Sequence, residues 1–513
     1  MALKFQKNLQ ASLYLRPVAS KSPPERGVTM IRSLTRMALL AALLASLGGC
    51  AVDIENAPIN VPVSRPAPEP VPQPPSPRAD QSLAVGVAFS GGGTRAAAFS
   101  FGVLKQFAAT QVPAQAGGPT LLDHLDFISG VSGGSITAAY YGYRGPAALD
   151  DFREKFLIQD LEGSLYTSIT LGNLLRALAG GVNDRRGVQT WLDAHLFHGA
   201  TFADLGTPDK PTIWLNASDI YNGTPFVFDH QTFHALCSDL SKLPISEAVA
   251  ASAAVPLAFA PIVMQSFPQA CTYVLPAWAE KALSDPAAPA NLQAYAAALR
   301  NYHDPEVMKY VKLLDGGIID NYGLAGLVLR REQASHPYSP YTPEQAVKIR
   351  NLLFVVVDAG QSEEAKWVKT VQGPSGIQVA EATTTTMINV AKRASYDLFT
   401  DTMNRWQAQL VAWRCSLPKD EVLRLRGSLD GWDCKDIHFH VLRLSFETLP
   451  PDEGGPLARL PTTLALSPDQ VDALISGGED ALKDSQEFQD FLHSLGAPQV
   501  AADGVPGAQP MLR

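Results

Sequence analysis

The feature that most constrains the fold is a strand-to-helix junction built on glycine, and it occurs more than once. Residues 83–90 (LAVGVAFS) form an apolar run of strand length, followed at once by Gly91, Gly92, Gly93, Thr94 and Arg95. The next stretch, 96–108, sets Phe99, Val103, Leu104 and Phe107 at helical spacing. Such a junction presents unblocked backbone N–H groups at a helix N-terminus, which suits an anion. Glycine is needed there because a side chain would block close approach. The loop is not a P-loop, since no Gly-Lys-Ser/Thr follows. It is also a poor dinucleotide fingerprint, with Ala96 where the last glycine would stand.

The second junction is more specific. Residues 125–129 (LDFIS) read as a short strand and lead into Gly130-Val131-Ser132-Gly133-Gly134, after which Ile136, Ala139 and Tyr140 mark a helix. This is G-x-S-x-G at a strand-to-helix turn, the context in which a sharp bend pushes a serine hydroxyl out as a nucleophile. A third apolar run, 311–314, delivers Asp315 onto Gly316 and Gly317. Alone, that Asp-Gly-Gly would read as a turn.

Composition sets the outer limits. Of 513 residues, 46% are hydrophobic and 18% charged, which is globular and excludes a disordered, collagen-like or coiled-coil chain. The formal charge is −9, so the basic face of a nucleic-acid binder is not on offer. Length allows two to four domains of ordinary size, or one large domain with additions.

Residues 30–36 form a short basic head, 37–47 an Ala/Leu-rich apolar run, and Leu47-Gly48-Gly49-Cys50 closes it. That order describes a secretory signal too short to span a bilayer permanently. The cysteine after Leu-Gly-Gly resembles the bacterial lipobox, which implies a diacylglycerol thioether on Cys50 and Met30 as the natural start. Cleavage before Cys50 removes 49 residues carrying seven basic side chains and one acid, so the remaining 464 residues carry −15. Charge would not draw such a body to anionic lipid, and acyl chains would do the anchoring. Ala51 in place of an aspartate points, by the same resemblance, to the outer membrane. The proline-rich stretch 57–78 is expected to be an extended spacer or a passive tether. Four further cysteines, Cys237, Cys271, Cys415 and Cys434, suggest up to two disulfides, with neighbour pairing the simplest choice and buried free thiols the alternative. No His/Cys spacing points to zinc.

Taken in order, Gly-Gly-Gly-x-Arg at 91–95, Gly-x-Ser-x-Gly at 130–134 and Asp-Gly-Gly at 315–317 resemble the signature of the patatin-like phospholipases. Residues 248–261 (AVAASAAVPLAFAP) are similar to the family's alanine-rich helix and following turn, and 216–219 (NASD) to the end of its central strand. The resemblance implies a three-layer α/β/α sandwich with a mostly parallel central sheet and a C-terminal α+β extension. The chain is accordingly expected to comprise an upstream segment and signal (1–49), a lipidated Cys with linker (50–82), a catalytic domain (83–361) that the resemblance spans, and an extension (362–513) packed on the core since no linker separates it. The resemblance implies Ser132 as nucleophile and Asp315 as base, with backbone N–H groups of Gly91, Gly92, Gly93 and Thr94 holding the oxyanion. Arg95 would orient the loop or meet a lipid phosphate. No cofactor or metal is implied, and the partner is membrane phospholipid or lysophospholipid. Tyr322 and Ala96 depart from the family pattern and bear on substrate fit.

Two other readings remain. A Ser-His-Asp carboxylesterase would need a histidine after Asp315, such as His336, His438, His440 or His493. An idle lipoprotein would use the fold only to bind lipid. Further on, 352–357 is expected as a buried parallel strand, 380–412 as a helix, 436–446 as a strand and 467–495 as one amphipathic helix.

Overall fold

The structure is a computed structural model that describes residues 56–64, 82–166, 170, 173, 176–177, 180–206, 210–362 and 366–496. The expected signal segment and Cys50 lie outside these residues. Eight strands are formed: β1 (Leu83–Phe89), β2 (Leu125–Val131), β3 (Thr212–Asp219), β4 (Thr224–Val227), β5 (Ile262–Gln265), β6 (Tyr310–Asp315), β7 (Asn351–Asp358) and β8 (His438–Ser445). They build one sheet in the order β5-β6-β3-β2-β1-β7-β8, with β4 folded back on β3. From β3 to β8 every neighbour is parallel, whereas β4, β5 and β6 are antiparallel.

Parallel strands that are covered on both faces read as unbroken apolar runs, and β1 is buried at all seven positions. Its alternate side chains enter two different cores. Leu83, Val85, Val87 and Phe89 join one, together with Leu353, Val355 and Val357 of β7. Ala84 and Ala88 join the other, with Leu352, Phe354 and Val356. Each fully buried side chain of this size contributes about 1.5–3 kcal/mol. Gly86 is required where the Phe354 ring crosses β1, since a Cβ would stand 2.7 Å from it.

The helices that matter to the site are α1 (Gly93–Ala109), α2 (Gly133–Arg144), α3 (Ile245–Ser252), α4 (Ala325–Glu332), α5 (Gly376–Ser416), α6 (Pro468–Lys483) and α7 (Gln486–Ser494). On one face α6 packs on α1, backbone to backbone: a Cβ on Gly102 would overlap Ile475, and one on Gly478 would overlap Phe99. On the other face α5 lays Phe399, Met403, Trp406 and Leu410 over β7. The fold is thus an α/β/α sandwich. The C-terminal part does more than pack on it, because β8 pairs with β7 from Asn351 to Asp358. The helix expected over 467–495 is two, broken where Ser485 caps α7 through the Phe488 N–H. Disulfides join Cys237 to Cys271 and Cys415 to Cys434. Among the described residues no helix is long and apolar enough to cross a membrane.

The spacer expected from residue 57 onward needs correction. Residues 56–64 are docked on the body beside edge strand β5. The Ile59 N–H donates to the Val263 carbonyl at 3.0 Å, and Asn60 exchanges hydrogen bonds with the Gln265 backbone in both directions. Prolines in this stretch did not prevent docking because edge pairing uses only some of the N–H groups. The proline-rich residues 66–78 follow this docked segment and lie outside the described residues.

Candidate active site

Ser132 caps α2 directly after β2, with φ 52° and ψ −121°. A non-glycine residue with positive φ is strained, and here three glycines make the bend possible. A Cβ on Gly130 would stand 2.7 Å from the Ser135 Cα, one on Gly134 2.5 Å from the Phe89 carbonyl, and one on Gly133 would overlap Gly93. The glycines of the G-x-S-x-G stretch are therefore packing requirements of the elbow.

Sheet register brings the acid to the serine. Val131 pairs with Asn216 of β3, and Ala217 pairs with Asp315 of β6. The two chain segments thus flank the same point of β3, which brings the Ser132 hydroxyl near enough to the Asp315 carboxyl to lower its pKa. Asp315 also accepts the Gly317 N–H at 2.8 Å, and its own N–H donates to the Ala254 carbonyl at 2.8 Å. Burial pushes the Asp315 carboxyl up to about 6, while the Gly317 N–H and the Ser132 hydroxyl pull it back down.

Several supports were not singled out from the sequence. The Ser252 hydroxyl, at the end of α3, accepts the Ser132 N–H and donates to the Asn216 carbonyl. The Asn216 side chain donates to Ser129 Oγ and to the Gly130 carbonyl. Asn321 sits between the two glycine turns: its Oδ1 would lie 2.6 Å from a Cβ on either Gly91 or Gly317. Asn216 and Ser252 lie inside 216–219 and 248–261, the segments similar to the family, and Asn321 follows the Asp-Gly-Gly turn, but nothing in the sequence assigned any of the three a role.

The glycine loop needs a correction as well. The Gly91 N–H donates to the Asn321 carbonyl at 3.2 Å, and the Thr94 N–H to the Thr463 carbonyl at 2.9 Å. Both were expected as oxyanion donors; Gly91 is engaged by the turn that follows β6, and Thr94 by the C-terminal segment. The Gly92 and Gly93 N–H groups have no acceptor among the described residues. Arg95 is buried and donates to the Ala359 carbonyl, the Leu460 carbonyl and Thr462 Oγ1. Its buried guanidinium is taken up by these three acceptors, which tie the loop to the end of β7 and to the C-terminal segment. Glu162 completes the lacing by accepting from Thr463 and from the Leu464 N–H.

The histidines lie elsewhere. His438 pairs with Asn351 at the amino end of β7, and His440 packs edge-on against Phe491. β8 is three strand spacings from β2, about 14 Å, and both histidines are at the opposite end of the sheet from Ser132. His336 stacks on Tyr338, and His493 ends α7.

Fold and site define an α/β/α protein with an elbow serine and an adjoining carboxylate under a glycine loop. Residues 87–328 match the family model of the patatin-like phospholipases. Among solved structures, human GIVD cytosolic phospholipase A2 is similar, with 13% identity and a TM-score of 0.38, over 81% of this chain and 60% of that one. The chain thus spans about 60% of that protein's length. No curated protein matched the chain.

Proposed function

We propose that the chain cleaves acyl esters of phospholipid or lysophospholipid through an acyl-enzyme on Ser132, with Asp315 as the base. The observation that carries this reading is the register that sets Ser132 and Asp315 on either side of one point of β3, with the buried carboxyl raised to about 6 by desolvation and drawn partly back by the Ser132 hydroxyl. A carboxylate is a weak base for a hydroxyl, and excluding water narrows that gap. As Ser132 Oγ bonds to the acyl carbon, its proton passes to Asp315. The oxyanion so formed is met by the N–H groups of Gly92 and Gly93, a type of contact worth about 3–4 kcal/mol. Collapse expels the alcohol, which takes the proton from Asp315. Water, deprotonated by Asp315, bonds to the acyl carbon; the Ser132 Oγ–acyl bond then breaks, Ser132 takes the proton back from Asp315, and the fatty acid is released.

The distance of His438 and His440 from Ser132 speaks against a histidine triad, and the intact Ser132–Asp315 pair against an idle lipoprotein. Anchoring by a thioether on Cys50, and residence in the outer membrane, belong to the same proposal and rest on the sequence of residues 30–50.

The test is fluorophosphonate labelling of the purified protein beside Ser132→Ala and Asp315→Asn, with acyl release from phospholipid measured in parallel. Wild type should label and release fatty acid, and both variants should do neither. Activity retained in Asp315→Asn, or lost on replacing a late histidine, would sink the dyad. Radiolabelled palmitate on wild type but not on Cys50→Ser checks the anchor.

A further inference from the structure

The loop that closes α3 carries two exposed apolar side chains beside the site. The Ala254 carbonyl accepts the Asp315 N–H, and the next residue, Val255, is 43% exposed. Leu257 is 63% exposed and adopts φ 69°. Asn or Gly would occupy that backbone conformation with less strain, and neither would leave an apolar side chain in water. The loop is held rigidly. Val182 and Asn183 donate their N–H groups to the carbonyls of Leu257 and Ala258, and Asn183 bonds Tyr166 through both ends of its amide. Tyr166 is itself 65% exposed, with the Arg176 guanidinium over its ring.

The docked N-terminal segment starts at the same place. Asn56 donates to the carbonyls of Ala260 and Pro261, three and four residues from Leu257. Six peptide links separate Asn56 from Cys50, so the chain between them spans at most about 20 Å. A lipid-anchored Cys50 would therefore keep this corner of the body near the bilayer.

We propose that Tyr166, Val255 and Leu257 form the surface on which the body seats against a lipid bilayer, with the mouth of the Ser132–Asp315 site beside it. A tyrosine with a neighbouring cation suits the headgroup zone, and Val255 and Leu257 suit the acyl boundary. With a charge of −15 after residue 49, the body holds to lipid by apolar contact and not by net charge. The seat rests in part on the proposed anchor at Cys50, and its use for substrate entry rests on the proposed hydrolase activity.

Residues 53–513 form a compact unit that holds the whole described core and both disulfides, so binding can be measured without the anchor. The probe is flotation of this unit with vesicles of phosphatidylethanolamine and phosphatidylglycerol. Wild type should bind weakly and with little response to salt. The double variant Val255→Ser, Leu257→Asn should bind about tenfold less or worse, and its thermal unfolding should not fall, because Asn fits the backbone at 257. Leu423→Gln, an exposed leucine far along the chain, should bind as wild type does. Hydrolysis of vesicle phospholipid should drop with binding in the double variant, while a soluble short-chain ester is cleaved as before. Equal binding by wild type and double variant, or no binding by wild type, overturns the seat. If neither substrate is cleaved by wild type, the hydrolase reading fails and flotation still decides the seat.

Discussion

The Ser252 hydroxyl holds the backbone of Ser132: its Oγ accepts the Ser132 N–H at 2.9 Å and donates to the Asn216 carbonyl at 2.6 Å. Ser135 Oγ is a third partner, at 2.7 Å. The strained elbow is thus tied to the end of α3 and to β3. Ser252→Ala should leave the Ser132 N–H buried without an acceptor, at about 1–3 kcal/mol of folding stability. Because the elbow angle is affected and the acyl pocket is not, kcat should fall more than KM rises. Urea unfolding and steady-state kinetics on a soluble ester measure both, and a change in KM alone would contradict this role.

The Asp315 carboxyl gives the protein a pH signature. Its folded value of about 6 lies above the ordinary 3.8, so the native state holds this proton more tightly than the unfolded chain. Stability should accordingly be highest below about pH 4 as far as this group decides, and fall as pH rises toward 6, by about 3 kcal/mol in all. Activity should run the opposite way, since the base must be ionised, with an acid limb in kcat/KM near 6. Asp315→Asn should be inactive yet more stable than wild type above that pH. Denaturation midpoints across pH, set beside the rate profile, test the opposed slopes.

Much of the sheet was legible because each site-bearing strand is an apolar run that ends on glycine. β1, β2, β6 and β7 announce themselves this way. Gly91 and Gly316 mark where β1 and β6 turn away from the sheet, and Gly130 lies inside β2 just before the bend at Ser132. Ser252 was not legible: one serine among alanines in 248–254 looks like any small helix residue until β3 lies beside it. Asn60 hid for a related reason, since among prolines it reads as linker, and only the free edge of β5 turns it into a pairing residue. The break at Asp484 escaped because the amphipathic spacing of α6 continues in phase into α7. The engagement of Thr94 by Thr463 could not be foreseen, as it joins residues far apart in the chain that share no pattern.

Arg95 should be irreplaceable by lysine. Its three donors reach the carbonyls of Ala359 and Leu460 and the Thr462 hydroxyl, a fork that a single ammonium cannot reproduce. Arg95→Lys is expected to lose about 2–4 kcal/mol and to loosen the chain around 458–466. Limited proteolysis should then cut near Arg459 in the variant and not in wild type. Resistance equal to wild type would mean that Glu162 and the Thr94–Thr463 hydrogen bond suffice to hold the segment.

Asn60 offers a separate check on the docked N-terminal segment. It is buried, donates to Ser238 Oγ at 2.9 Å and to the Gln265 carbonyl at 2.8 Å, and accepts the Gln265 N–H at 2.8 Å. Asn60→Ala removes all three bonds and leaves the Gln265 amide without its acceptor, at about 1–3 kcal/mol. Because β5 is an edge strand, the effect should stay local: amide exchange should speed up at Ile59 and Gln265 and remain unchanged in β1 and β7. The activity of the Ser132–Asp315 site on a soluble ester should persist, since neither residue touches Asn60. Exchange that accelerates throughout the sheet would show instead that the segment is part of the fold's common stability, so that its docking and the integrity of β6 rise and fall together.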